Sequence, residues 1–201
     1  MTKLHSNIST DTHSIDSLEA KHYAERFRGK IIVIKYGGSA LDDEMRTHVL
    51  RDISTLYSLG IKPVIVHGGG PYISARLNAQ GIQSVFAQGI RITSEEVMRV
   101  VQEELMKINT RIVSELVLSG DSAVCVPSTA RAIIVQKHPD LDGLDLGYVG
   151  EVTSIDSKWF MQRIEEAHIP VVAPIGFCVN DGMTYNINAD HVAAELAVSL
   201  K

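Results

Sequence analysis

The sequence predicts an α/β protein whose mainly parallel sheet is sandwiched between helices. Three observations carry that expectation. Short β-branched runs alternate along the chain with segments of helical apolar spacing, the pattern of parallel strands joined by crossover helices. Two of these runs end directly in glycine, Gly37-Gly38 after the first and Gly68-Gly69-Gly70 after the second. The 201 residues are 45% hydrophobic and 21% charged, enough apolar material for the core of one domain.

The elements follow in chain order. Residues 1–13 are polar, rich in Ser and Thr, and lack the apolar stretch of a secretory leader; a disordered tail is expected there. From Ser14, the side chains Ile15, Leu18, His22, Tyr23 and Phe27 recur at helical spacing up to Gly29. They predict a helix over 14–28 that packs on its own domain or against another subunit; the periodicity serves both. Ile31-Ile32-Val33-Ile34 reads as a strand buried on both faces. Met45, Val49, Ile53 and Leu56 predict a helix between Leu41 and Leu59, stopped by Gly60. Val64-Ile65-Val66 is a second buried strand. Pro71 to Gln80 follows as a helix with Pro71 at its first position.

Thr93 and Glu96 have capping-box spacing. The helix they open carries Val97, Val101, Leu105, Ile108, Ile112 and Leu116 on one side. Ala123–Val126 and Ala132–Val135 are candidate strands separated by a turn. Lys137 to Gly147, rich in Asp, Gly and Pro, is a loop. Ser157 to Ala167 is a helix and Val171 to Ala173 a buried strand. Asp181-Gly182 is a turn between short strands, and Ala189 to Leu200 a last helix with Ala193, Leu196 and Leu200 in a stripe.

Composition excludes some functions. Nineteen Lys and Arg against 24 Asp and Glu give a net charge of −5, which argues against a nucleic-acid binder working through a general basic surface. No apolar run approaches the ~20 residues of a membrane span. Cys125 and Cys178 make no disulfide framework, and a reducing cytoplasm is the expected compartment.

Ligands of open parallel sheets sit beyond the carboxyl ends of the strands, which directs attention to the two glycine loops. Gly68-Gly69-Gly70-Pro71 joins a buried strand to a helix. Its missing Cβ atoms and the free amides of a helix start suit a carboxylate or a phosphate. Gly37 and Gly38 form a second such turn. Neither loop fits the P-loop or the dinucleotide fingerprint. Lys35 leaves the first strand at the same edge, where its ammonium could neutralise a transferring group. Asn186-Ile187-Asn188-Ala189-Asp190 precedes the last helix. Asn188 suits an N-cap and Asp190 a first-turn acid, while alternation along an extended segment turns Asn186 and Asn188 to one face. Asp190 could then hold a lysine. Arg91, between Ile90 and Ile92, offers a planar fork for a carboxylate or a structural ion pair.

In order, Ile34-Lys35-Tyr36-Gly37-Gly38, Val64-Ile65-Val66-His67-Gly68-Gly69-Gly70-Pro71, Gly89-Ile90-Arg91-Ile92-Thr93 and Asn186-Ile187-Asn188-Ala189-Asp190 resemble the amino-acid kinase family, and within it the acetylglutamate kinases. The resemblance covers about Phe27 to Lys201. It implies a carbamate kinase-like fold and ATP-dependent phosphorylation, with Mg²⁺, of the side-chain carboxylate of N-acetyl-L-glutamate in arginine biosynthesis. It further implies that Lys35 stabilises the transferring phosphoryl group, with Asp190 organising the catalytic lysines. Gly69, Gly70, Arg91, Asn186 and Asn188 would bind substrate, and Gly37, Gly38 and Gly68 would lie near the phosphates. No metal ligand among the residues is implied, and no catalytic role falls to His67.

The helix over 14–28 looks like the N-terminal extension that links dimers into a ring in arginine-sensitive members, so a homo-oligomer is expected. Residues 29–185 would form the substrate lobe and 186–201 the start of a nucleotide lobe. The rest of that lobe is absent from the sequence, and turnover is expected to be impaired. Pro127-Ser128-Thr129-Ala130-Arg131-Ala132 departs from the family's Gly-Asp-Gly pattern, which bears on fine specificity, whereas Asp145 to Val152 matches. The alternative reading is a kinase-like regulatory domain that binds arginine or acetylglutamate without phosphoryl transfer, as in N-acetylglutamate synthase.

Overall fold

A computed structural model describes residues 25–37 and 43–201, with the backbone alone at 43–46 and 128. The tail expected over 1–13 lies outside the described residues. So does most of the helix expected over 14–28, of which Glu25 to Phe27 are seen as helix.

Four parallel strands form the central sheet in the order β1 (Ile31–Tyr36), β2 (Lys62–His67), β8 (Ile169–Val172), β5 (Ala123–Cys125). Strand alternation sends Ile65 to one face and Val64 and Val66 to the other. On the Ile65 face pack helices α1 (Asp43–Ser58) and α3 (Glu95–Leu118), through Leu50, Ile53, Ile108, Ile112 and Leu116. The opposite face meets α4 (Ser157–Glu165) and α5 (Ala189–Ser199) through Phe160, Ile164, Val192 and Leu196. Helix α2 (Gly70–Ala79) lays Ile73 and Leu77 against Val97, Val101 and Leu105 of α3. The layered α/β fold is therefore as the alternation predicts.

A second sheet, β10 (Thr184–Asn186), β9 (Ile175–Cys178), β6 (Ile133–Lys137), β7 (Gly150–Ile155), is mixed: only the β6–β9 pair is parallel. Strand β7 has no counterpart in the sequence reading, because its residues Glu151 to Ser154 are polar or half-buried. Its Gly150 and the neighbouring Gly176 of β9 are held by packing. A Cβ at Gly176 would stand 2.3 Å from Val135 Cγ1, and one at Gly150 2.9 Å from the Tyr185 Cβ.

Three local expectations need correction. Strand β1 is half-buried rather than enclosed, since only β2 flanks it among the described residues. The cap of α3 is Ser94, whose hydroxyl accepts from the Val97 amide; Thr93 is buried and donates to the Arg91 carbonyl instead. Pro71 is the second residue of α2, after Gly70, with Gly69 as its cap. A short hairpin also appears where none was expected. β3 (Phe86–Ala87) and β4 (Ile90–Arg91) pair antiparallel around Gln88 and Gly89, both at positive φ, the geometry a two-residue hairpin turn demands.

Candidate active site

The carboxyl ends of β1 and β2, the hairpin and the approach to α5 surround one open cleft of about 310 Å³. Lys35, Gly68, Gly69, Gly70, Arg91, Asn186, Asn188 and Asp190 all line it. Gly37 sits beside it, where a Cβ would lie 3.4 Å from Lys35 Nζ. Gly38 lies outside the described residues. Four segments far apart in sequence thus meet where an α/β sheet presents its strand ends.

The glycine loop works differently from the sequence reading. Neither Gly69 nor Gly70 has a positive φ, and Gly69 is extended at −171°. Gly69 is required by packing: a Cβ there would stand 2.7 Å from Leu105 Cδ2 and 3.1 Å from Ile108 Cδ1. At Gly70 the same atom would meet nothing within 4 Å. Both amides lack an acceptor among the described residues, as expected for the first turn of a helix.

Arg91 forms one wall. As a residue it is buried, 7% exposed. Nη1 donates to Ser84 Oγ at 2.7 Å, and Nη2 donates to Ser74 Oγ at 2.8 Å and the Gly70 carbonyl at 3.2 Å. The Phe86 ring covers the guanidinium at 4.6 Å. These partners are neutral, and no carboxylate of the described residues forms an ion pair with it, so the structural ion pair weighed as an alternative is not formed. Burial lowers its pKa below the ordinary arginine value, and two of its five N–H groups are unused among the described residues. Ser74, Ser84 and Phe86 carry no sequence signal of this role; only the fold brings them to Arg91.

The cleft also carries an ion pair, Lys35 Nζ to Asp190 Oδ1 at 3.1 Å. Asn188 caps α5, its Oδ1 accepting from the Asp190 amide at 2.8 Å. Asn186 Nδ2 donates to Thr93 Oγ1 at 3.3 Å. Thr93, fully buried, is the hub between the Arg91 and Asn186 segments. Its amide donates to the Leu146 carbonyl and its carbonyl accepts from Tyr148 N, while Asn186 N donates to the Tyr148 carbonyl. Gly147 must be glycine for this: it has φ +71°, and a Cβ would stand 2.3 Å from the Thr93 oxygen. The Asp145 to Val152 segment therefore supports the cleft from behind. The departing segment Pro127 to Ala132 instead borders another groove, with Gln102, Met106 and Phe177; there Arg131 covers the Phe177 ring at 4.3 Å.

Among the described residues, no group of three or more His, Cys, Asp or Glu is arranged to hold a metal ion, and no helix is long and apolar enough to cross a membrane.

A parallel-sheet protein with an open cleft at its strand ends is the class so far defined, and the model described as "Amino acid kinase family" matches residues 30–201: the chain belongs to that family. The particular relatives are narrower. The chain is 43% identical over 194 residues to an acetylglutamate kinase of Carboxydothermus hydrogenoformans, covering 92% of this chain and 66% of that protein. It is 44% identical over 186 residues to the acetylglutamate kinase of Kosmotoga olearia, covering 92% and 65%. The chain thus spans just under two thirds of the length of these curated relatives. Among solved structures, N-acetylglutamate synthase from Neisseria gonorrhoeae complexed with coenzyme A and N-acetyl-glutamate superposes with a TM-score of 0.81 at 25% identity, over 92% of this chain and 44% of that one. Carbamate kinase from Giardia lamblia, at a TM-score of 0.56 and 16% identity, shares the fold; the match covers 86% of this chain and 68% of that one.

Proposed function

We propose that the cleft seats N-acetyl-L-glutamate and presents its side-chain carboxylate to the terminal phosphate of ATP, as the acid-binding part of an acetylglutamate kinase. The observation that carries this reading is Arg91. A buried guanidinium held by hydroxyls, a carbonyl and a ring, with donors to spare and no carboxylate partner among the described residues, is a charge in want of an anion. In this reading Arg91 grips the α-carboxylate, Asn186 and Asn188 meet the polar groups of the acid, and the Gly69 and Gly70 amides receive the reacting carboxylate.

The chemistry brings two anions together. Two unit charges ~4 Å apart repel by ~4 kcal/mol at an effective dielectric of 20. Phosphoryl transfer is mostly positioning and charge stabilisation, and the nucleophile is already ionised, so no general base is needed. Lys35 supplies the cation, and Asp190 at 3.1 Å holds its flexible stem in place. Gly37 and Gly68 border the phosphates. Mg²⁺ arrives on the nucleotide, as part of the substrate, and further neutralises its charge. Since the chain spans just under two thirds of its curated relatives, nucleotide binding and turnover are proposed for the whole enzyme, as are a homo-oligomer and a contact between subunits through residues 14–28. A regulatory acid-binding domain without phosphoryl transfer is the second reading, supported by the N-acetylglutamate synthase likeness. Identities above 40% to kinases, against 25%, favour the first.

Thermal unfolding with and without ligand tests the acid site. A ligand at 100 times its Kd that binds only the folded state stabilises by ~2.7 kcal/mol, about 5–10 °C for a domain of this size. N-acetyl-L-glutamate is expected to give such a rise and glutamate none, and Arg91→Ala is expected to abolish it. No shift at millimolar N-acetyl-L-glutamate contradicts the reading.

A further inference from the structure

Beneath the glycine loop lies a buried polar pair that the proposed chemistry does not use. His67 ends β2 and Asn109 lies midway along α3, and both are 0% exposed. Asn109 Nδ2 is 3.0 Å from the Val171 carbonyl and 3.1 Å from His67 Nε2, while His67 Nδ1 is 2.9 Å from the Gly68 carbonyl. Together these contacts fix each proton. A carbonyl only accepts, so the Asn109 atom facing Val171 is the amide nitrogen. Its second hydrogen goes to His67 Nε2, which must then be bare. A neutral imidazole carries its one proton on the other nitrogen, so Nδ1–H donates to Gly68. Burial keeps the ring neutral, with its pKa pushed down from 6.5 to about 4. Turning the Asn109 amide over would set oxygen against the Val171 oxygen. The native orientation persists even though Asn109 Oδ1 is itself buried without a partner.

The peptide joining Gly68 to Gly69 is trans and planar, so its N–H points opposite to its carbonyl. The carbonyl is drawn to His67, which lies behind the cleft wall. The Gly69 N–H is thereby turned away from His67; Gly69 lines the cleft, and its N–H has no acceptor among the described residues.

We infer that His67 is a positioning residue: anchored by Asn109 and Val171, its Nδ1–H holds the Gly68 carbonyl and so aims the Gly69 amide at the bound carboxylate. The inference rests on the acid-binding reading of the cleft, and it assigns His67 no contact with substrate. Loss of one hydrogen bond to a charged ligand corresponds to a tenfold or larger fall in affinity.

Two substitutions separate positioning from packing. In His67→Asn the shorter amide still reaches the Gly68 carbonyl from the Nδ1 position and gives up Asn109. In His67→Gln the longer one still reaches Asn109 and gives up Gly68. Calorimetric titration of the full chain with N-acetyl-L-glutamate, beside thermal unfolding, is expected to find His67→Asn within about threefold of the wild type. His67→Gln is expected to bind at least tenfold more weakly, whichever variant is the more stable. Wild-type affinity in His67→Gln, or affinities that simply follow stability, overturns the inference. Should a variant not fold, ¹⁵N spectra of the wild-type ring decide: a proton on Nδ1 supports it and one on Nε2 refutes it. If the wild type binds no N-acetyl-L-glutamate, the acid-site reading fails by itself. The ligand-free ¹³C′ resonance of Gly68 and ¹⁵N resonance of Gly69 then judge the positioning, which stands if they move in His67→Gln and not in His67→Asn, and falls otherwise.

Discussion

At the scale of single residues, adjacent glycines answer to different forces. Gly69 exists because Leu105 and Ile108 occupy the space its Cβ would take. Gly70 has no such neighbour, so its openness is available to a ligand. Gly69→Ala is therefore expected to cost about 1–3 kcal/mol of stability through overpacking. Gly70→Ala should leave stability unchanged or slightly raised and weaken N-acetyl-L-glutamate by tenfold or more. Chemical denaturation and calorimetry of the two variants check both halves. His67 makes a pH prediction. Its folded pKa, about 4, lies below the ordinary 6.5, so between these values the unfolded chain takes up a proton that the folded chain refuses. Stability contributed by the neutral ring is complete above pH 6.5 and lost as pH falls, by about 3 kcal/mol near pH 4. Urea unfolding at pH 7 and pH 4 is expected to show that loss in the wild type beyond any in His67→Asn.

At the scale of elements, what the sequence disclosed followed from periodicity. The apolar stripe from Val97 to Leu116 is buried along its whole length, and the Val64 to Val66 run is enclosed by helices on both sides. Where signals were weaker, tertiary contacts decided. Strand β7 turns Thr153 and Ser154 outwards and so carries no continuous apolar run. The β3–β4 hairpin turns on Gln88-Gly89, a pair without a strong turn signature. Thr93 and Ser94 both suit a cap. The fold gives the cap to Ser94 because Thr93 is drawn into the hub between Arg91, Leu146 and Asn186. Ser94→Ala is accordingly expected to cost ~1 kcal/mol, read as a fall of about 2–4 °C in Tm. The charged residues and glycines at the cleft were legible as candidates because they cluster at strand ends, although Arg91 and Asp190 also suited an ion pair and a helix start. Ser74, Ser84, Phe86 and Asn109 were not, because ordinary polar and aromatic residues acquire meaning only from the partners the fold gives them.

At the scale of the whole molecule, the parallel sheet brings strand ends to one edge and the hairpin and α5 close two sides of the hollow. A buried arginine without a carboxylate partner among the described residues and a lysine–aspartate pair line the same cleft, a charge arrangement suited to the proposed acid held at its α-carboxylate while its side chain reacts. The measurement that bears most directly on this is the response of the backbone amide resonances to added N-acetyl-L-glutamate. The largest changes are expected at Gly69, Gly70, Arg91, Asn186 and Asn188, with little at Arg131 or Phe177. Saturating ligand that moves only the groove of Gln102, Met106, Arg131 and Phe177, or moves nothing, contradicts the acid site.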